Sequence, residues 1–328
     1  MRLLSALGVS LCLSASSVFG ADYSDSKEAQ KLIDEMVQEH QYDRETLERV
    51  FDSATRKQSI LDAIARPAER TKTWHEYRQI FITPSRTKAG IAFWQQHAEA
   101  LARAEKEFGV PPEMIVAIIG VETFYGKHRG KFRVVDALST LGFDYPPRQT
   151  FFRKQLKEFL LLSREQGFDP LDLTGSYAGA MGFPQFIPSS FRAYAVDFDG
   201  DGQIDIWNNP VDAIGSVANY FRRHGWQQGA PVVTRAHVKG DQYGEGVSDS
   251  LKPGQTLDEL QALGWEPLQV PAADASVRGI KLQGEHGSEF WVGMHNLYVI
   301  TRYNHSTLYA MAAFQLSEEL LDGMPKAL

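Results

Sequence analysis

Apolar residues recur every three to four positions along much of this chain, which is helical spacing. Within residues 25–70, "SKEAQKLIDEMVQEHQ" and "DRETLERVFDSATRKQSILDAIA" each place them on one helix face. Asp43, followed by Glu45 and Glu48, is the expected N-terminal cap of the second helix. "SRTKAGIAFWQQHAEALARAEKEFG" (85–109) predicts one longer amphipathic helix ended by Gly109, and Pro111 and Pro112 fit the first turn of the next. Helix continues through 148–225, with a glycine- and aromatic-rich interruption at 174–190.

The pattern changes after Trp226. "PVVTRAHV", "VRGIKLQ" and "EFWVGMHNLYVITRY" read as β-rich, around a small helix "TLDELQALG" opened by a Thr256/Glu259 capping box. Residues 306–323 return to helix. No internal repeat and no low-complexity segment occurs. The expected fold class is mainly α (α+β), with a small β insert. The expected division is an N-terminal helical region at 21–84, a helical core at 85–227, a small β-rich domain at 228–290, and a segment at 291–328 that returns to the core.

The chain has 328 residues, 43% hydrophobic and 23% charged, enough for one large or two to three smaller domains. Its formal net charge of −7, with no long basic stretch, argues against nucleic acid as a partner. The first residues change the picture more. "MRLLSALGVSLCLSASSVFGADYSDS" has one arginine, an apolar run from Leu3 to about Ala15, and small residues ahead of Ala21. This predicts a signal peptide over 1–20, cleaved before Ala21, and export to the periplasm. The run is too short to span a membrane. Cys12, the only cysteine, follows Leu11 where a lipid-anchor signal needs a small residue, so a soluble mature form is expected.

Three stretches can carry chemistry. In "AIIGVETFYG" (117–126) an apolar helix-like run ends in Glu122. The negative end of the helix dipole and apolar neighbours both disfavour ionisation, as a general acid requires. The same pattern fits a capping or ion-paired glutamate on an exposed face. In "GSYAGAMGFPQFIPSSF" (175–191), Gly175, Gly179 and Gly182 let backbone approach a ligand. Ser176, Gln185, Tyr177, Phe183 and Phe186 offer the polar groups and flat faces that a sugar needs. An ordinary glycine-rich turn would look alike.

"DFDGDGQIDIWN" (197–208) has Asp197, Asp199 and Asp201 at positions 1, 3 and 5 of an EF-hand-type loop. Gly202 makes the turn, the carbonyl of Gln203 stands at position 7 and Asp205 at 9, a pattern for Ca²⁺ in a structural role. Position 12 is Asn208 where a bidentate glutamate belongs. Asp212 can supply the missing carboxylate, or simply cap the following helix. No G-x-S-x-G, P-loop or H-E-x-x-H pattern competes.

Together, and in this order, these stretches resemble the lytic murein transglycosylases, most closely the membrane-bound lytic transglycosylase B type. "WNNPVDAIGSVANYF" and "TRYNHSTLYAMA" extend the resemblance over essentially the mature chain. It implies a goose-lysozyme-like helical core with a calcium-binding EF-hand. It also implies cleavage of the β-1,4 bond between N-acetylmuramic acid and N-acetylglucosamine without water, leaving a 1,6-anhydromuramoyl end. Glu122 matches the single acid/base. Tyr77, Tyr125, Ser176, Gln185, Phe186, Tyr220, Tyr303 and Tyr309 match substrate-groove positions, while Phe151 stands where the family pattern has a tyrosine. The implied partner is the peptidoglycan glycan strand, with cell-wall synthesis proteins as further candidates; a monomer with no organic cofactor is expected. The alternatives are a hydrolytic muramidase and a non-catalytic peptidoglycan-binding protein.

Overall fold

A computed structural model describes residues 23–65 and 72–325. The expected signal peptide, its cleavage site and Cys12 lie outside these residues. The chain divides into two compact units, Met1–Thr55 and Arg56–Leu328.

In the first unit, α1 (Lys27–His40) and α2 (Arg44–Ser53) pack together through fully buried Leu32, Ile33, Met36, Leu47, Val50 and Phe51. Asp43 caps α2 as expected, its carboxylate accepting the Thr46 N–H at 2.7 Å. The helical stretch that follows is not continuous, because Ala54 turns to extended backbone and ends α2.

The second unit opens with α3 (Gln58–Ile64) and α4 (Trp74–Phe81). The helix expected over 85–109 is two helices, α5 (Pro84–Gln96) and α6 (Ala98–Phe108), broken at His97. The break lets each half serve a different neighbour: α5 packs on α7 (Pro112–Thr123) and α14 (Thr307–Gly323), and α6 on α11 (Pro210–Arg223). Between α7 and α11 run α8 (Val134–Asp144), α9 (Gln149–Gln166) and the short α10 (Pro188–Tyr194). α7 is the centre of the unit. Met114 through Val121 are all buried, as in a helix surrounded by others, and α5, α6, α11 and α14 enclose it. Glu122 is the point where this central helix meets polar surroundings.

A two-stranded pair, β1 (Phe132–Arg133) and β2 (Thr174–Gly175), flanks α8. The β insert is an antiparallel sheet in the order β4-β3-β6-β5, made of β3 (Val233–Val238), β4 (Trp265–Pro267), β5 (Arg278–Gly284) and β6 (Gly287–Gly293). α12 (Leu257–Ala262) begins with the expected Thr256/Glu259 capping box. Leu260, Trp265, Val277, Val292 and Met294 form a local core, while Val233, Ile280, Leu282 and Trp291 join the main one. The stretch "EFWVGMHNLYVITRY" is strand only to Gly293. Its second half is α13 (His295–Thr301), whose Leu297, Val299 and Ile300 are wholly buried. A helix apolar on several faces is hard to tell from a buried strand by periodicity.

Candidate active site

α7 ends in a tight left-handed turn. Phe124, Tyr125 and Gly126 have φ of 51°, 58° and 85°, and the Phe124 and Tyr125 N–H groups donate back to the Gly120 and Ile119 carbonyls at 3.1 and 3.3 Å. Positive φ is costly for the first two residues, so packing must hold them there. Thr123 does part of this work. Its buried hydroxyl donates towards the Phe183 carbonyl (3.0 Å) and accepts the Gly126 N–H (3.0 Å), joining the helix end to the glycine-rich loop. Arg86 does another part, donating from Nε to the Gly120 carbonyl (3.2 Å) and from its terminal nitrogen to the Phe81 carbonyl (3.0 Å). A cation on last-turn carbonyls also opposes the negative helix end. Neither residue stands out in the sequence, where Thr123 looks like ordinary helix and Arg86 like a solvated face.

Glu122 is half-buried on this turn. The hydroxyl of Tyr309, in the first turn of α14, donates to its Oε1 at 2.5 Å, and Ser306 caps that helix by accepting the Tyr309 N–H at 3.2 Å. Tyr303 and Tyr309 stack with centroids 6.5 Å apart and planes within 11°. Tyr220 lies 4.7 Å from Tyr303, and Phe186 lies 5.6 Å from Tyr220 and 6.0 Å from Tyr303. Burial pushes the Tyr220, Tyr303 and Tyr309 hydroxyls well above the ordinary tyrosine range, and the nearby Glu122 carboxylate pushes them further. They therefore remain neutral donors. Tyr303 donates to the Pro184 carbonyl at 2.7 Å and Tyr220 to the Arg302 carbonyl at 2.5 Å, so two hydroxyls fix the wall and the third fixes Glu122.

The glycine-rich loop forms the facing side. Gly179 and Gly182 adopt φ of 77° and 66°, and a Cβ on Gly182 would come within 2.3 Å of the Ile206 carbonyl oxygen, so this approach needs glycine. The Ser176 hydroxyl accepts the Ala178 and Ala180 N–H groups at 3.2 and 3.0 Å, which turns it into its own loop. Gln185, itself at φ 49°, donates from Nε2 to the Gly182 carbonyl (2.9 Å) and the Arg129 carbonyl (3.3 Å). Tyr77 is only 2% exposed and interacts electrostatically with Tyr309, making it a neighbour of the groove wall. Tyr125 departs from expectation. Its hydroxyl is buried, and it fills space that side chains on Gly90 and Gly120 would occupy, so it cannot offer that group to a ligand. Phe151 lies under the Arg148 guanidinium, 4.3 Å from ring centroid to cation.

In the acidic loop, carboxylate oxygens of Asp197, Asp199 and Asp212 lie within 4.8 Å of one another. Asp197 also accepts N–H groups from Gly200, Asp201 and Gly202, which curls the loop as a cation site requires. Asp212 is completely buried and takes the Phe198 and Asp205 N–H groups at 2.7 and 2.8 Å. Burial raises its pKa, so it is a carboxylate held at a cost unless a cation is bound. The hard-oxygen donor set fits a divalent cation. Asp201 and Asp205 stand outside this cluster, their Oδ1 atoms accepting the Gln203 N–H and the Trp207 and Asn208 N–H groups instead.

The model of the transglycosylase SLT domain family matches residues 24–318. Membrane-bound lytic murein transglycosylase B of Escherichia coli K12 is 44% identical over 308 residues, covering 91% of this chain and 84% of that protein. The crystal structure of the soluble lytic transglycosylase SltB1 from Pseudomonas aeruginosa is 57% identical, with a TM-score of 0.87 over 90% of this chain and 98% of that one. The Escherichia coli lytic transglycosylase Slt35 in complex with calcium is 44% identical, with a TM-score of 0.85 over 92% of this chain and 95% of that one.

Proposed function

This chain belongs to the transglycosylase SLT domain family as a lytic murein transglycosylase acting on peptidoglycan, and from that membership we propose that Glu122 is its single general acid and base. The observation that carries the reading is the Tyr309 hydroxyl on Glu122 Oε1 at 2.5 Å, inside a wall of neutral tyrosines. The protonated carboxyl of Glu122 donates to the glycosidic oxygen that leaves. As carboxylate it then takes the proton from the muramoyl 6-hydroxyl, which attacks the anomeric carbon of its own sugar. Glycosidases ordinarily place a second carboxylate to activate water or attack the sugar. Here the nucleophile is part of the substrate, and intramolecular attack carries a high effective molarity. The product is a 1,6-anhydromuramoyl end. Gln185, Phe186, Tyr220 and Tyr303 hold the strand, with Ser176 shaping the loop and Tyr77 backing Tyr309.

Asp197, Asp199 and Asp212 hold Ca²⁺ in this reading, with the Gln203 carbonyl as a further oxygen. The ion supplies charge neutralisation that stabilises the loop between α10 and α11. The calcium-bound Slt35 structure supports the assignment by analogy. Peptidoglycan lies outside the cytoplasmic membrane, and the leader pattern at residues 1–20 is the proposed route to it. Among the described residues, no helix is long and apolar enough to cross a membrane.

Glu122→Gln tests the assignment, because the amide keeps the shape but can neither give nor take the proton. Since general acid–base catalysis is worth about 10²–10⁴-fold and one residue holds both roles, turnover should fall by the upper end or more. Product mass reads the chemistry at the same time. Anhydromuramoyl ends are expected from the wild type, and products heavier by one water would establish the hydrolytic alternative. A Glu122→Gln protein that cleaves murein at the wild-type rate overturns the reading.

A further inference from the structure

Arg278 opens β5 and is only 2% exposed, yet among the described residues no carboxylate pairs with it. Its two terminal nitrogens donate to the Ser250 carbonyl at 3.0 Å and the Thr307 hydroxyl at 3.1 Å, and its Nε finds no partner there. Burial pushes its pKa down to about 10, so it stays charged at neutral pH at a cost. Thr307 is the first residue of α14, and a helix N-terminus, the positive end of the dipole, does nothing for a cation. Neither solvation nor electrostatics favours a charge in this place. Geometry does: a planar guanidinium fork can tie two elements together at a fixed spacing.

The elements so tied are the sheet and the helix that carries Tyr309. On the sheet side the anchorage is firm. Val277 exchanges backbone hydrogen bonds with Gln255 at 2.8 and 3.0 Å, and the Gly279 carbonyl accepts the Ser248 N–H at 3.0 Å. Across the sheet Arg278 faces Gly293, where a Cβ would already stand 3.4 Å from Arg278 Cγ, so the stem fills the space a side chain would take. On the helix side, Thr307 lies one turn from the groove. Ser306 holds the Tyr309 N–H, and the Tyr309 hydroxyl holds Glu122.

We propose that Arg278 is a positioning residue for the reaction: it docks the first turn of α14 on the sheet, so that Tyr309 keeps Glu122 in line. The catalytic half of this rests on the reading of Glu122 as acid and base. It gives the β insert a part in the chemistry, although the sheet supplies no group to the groove.

Arg278→Met tests it. An apolar side chain relieves the buried charge, and the Ser250 and Thr307 groups it frees are exposed and half-buried, where water can reach them. Tm should therefore stay at or above the wild-type value, while kcat falls about two- to tenfold and KM changes little. Thr307→Val removes the other end of the contact and should give the same loss, which decides the matter if Arg278→Met does not fold. In a Tyr309→Phe background either change should cost almost nothing more, because the group being positioned is gone. Amide exchange at Tyr309 reads the docking without turnover, and both single variants should exchange faster. Wild-type activity in Glu122→Gln would sink the catalytic reading and leave that exchange result standing. Wild-type kcat in both variants overturns the proposal, as do losses that multiply in full with that of Tyr309→Phe. So do losses that merely track a falling Tm, and so does unchanged exchange at Tyr309.

Discussion

The carboxyl of Glu122 takes its orientation from a hydroxyl on another helix, and Tyr309→Phe isolates that contribution. A hydrogen bond to a charged group is worth about 1.5–3 kcal/mol, so kcat should fall roughly 10- to 100-fold while KM changes little. A melting curve close to wild type would separate this from unfolding, and unchanged kcat would show that Tyr309 does not position the acid. Glu122 is legible in the sequence because a lone carboxylate closes an apolar run. Its surroundings are less so. Tyr309 comes into view only through the resemblance, since nothing local links positions 187 residues apart. Thr123 and Arg86 stay hidden because a threonine in a helix and an arginine on an amphipathic one have commonplace surface readings. Tyr125 was expected among the groove residues, but its hydroxyl is buried beside Gly90 and Gly120.

Elements were legible where local chemistry decides them. Pro112 opens α7 through its fixed backbone angle, while Asp43 caps α2 and Thr256 with Glu259 opens α12 through contacts within one turn. Where tertiary packing decides, the sequence misleads: α13 looks like strand because it is buried, and the break at His97 answers to neighbours remote in sequence. The acidic loop belongs to the first kind. Its spacing predicts a cation site, and the proposed ligand set takes Asp212 from the next helix in place of position 12. A ligand that binds only the native state adds about 2.7 kcal/mol at a hundredfold excess over its Kd. In a protein of this size, chelation of calcium-loaded enzyme should lower Tm by roughly 4 °C. A melting curve unmoved by excess chelator would remove calcium from the account.

Across the whole molecule, a cleft of about 830 Å³ gathers Glu105, Glu113 and Glu318 where the helical core meets the sheet. Burial chiefly, with repulsion from neighbouring carboxylates, raises the Glu113 and Glu318 pKa values above the ordinary 4.5. A raised carboxyl favours the folded state fully below its unfolded pKa and loses that advantage as pH climbs through the folded value. The contribution of these two groups to stability should accordingly decline from about pH 4.5 upward through the shifted values. Glu113→Gln removes the charge that burial disfavours. In urea titrations the variant should exceed wild type near pH 8 and match it near pH 4. A gain that is the same at both values would point to packing instead.

The pairing of Glu122 with Tyr309 also bears on how the enzyme comes into being. Long-range contacts form late because loop closure must precede them. A ribosome that has reached residue 305 has already made Glu122 and the glycine-rich loop, yet not the helix that carries Tyr309. The hydrogen bond that fixes Glu122 is thus available only to a chain extended through α14, and a fragment ending before it keeps the carboxyl without that partner.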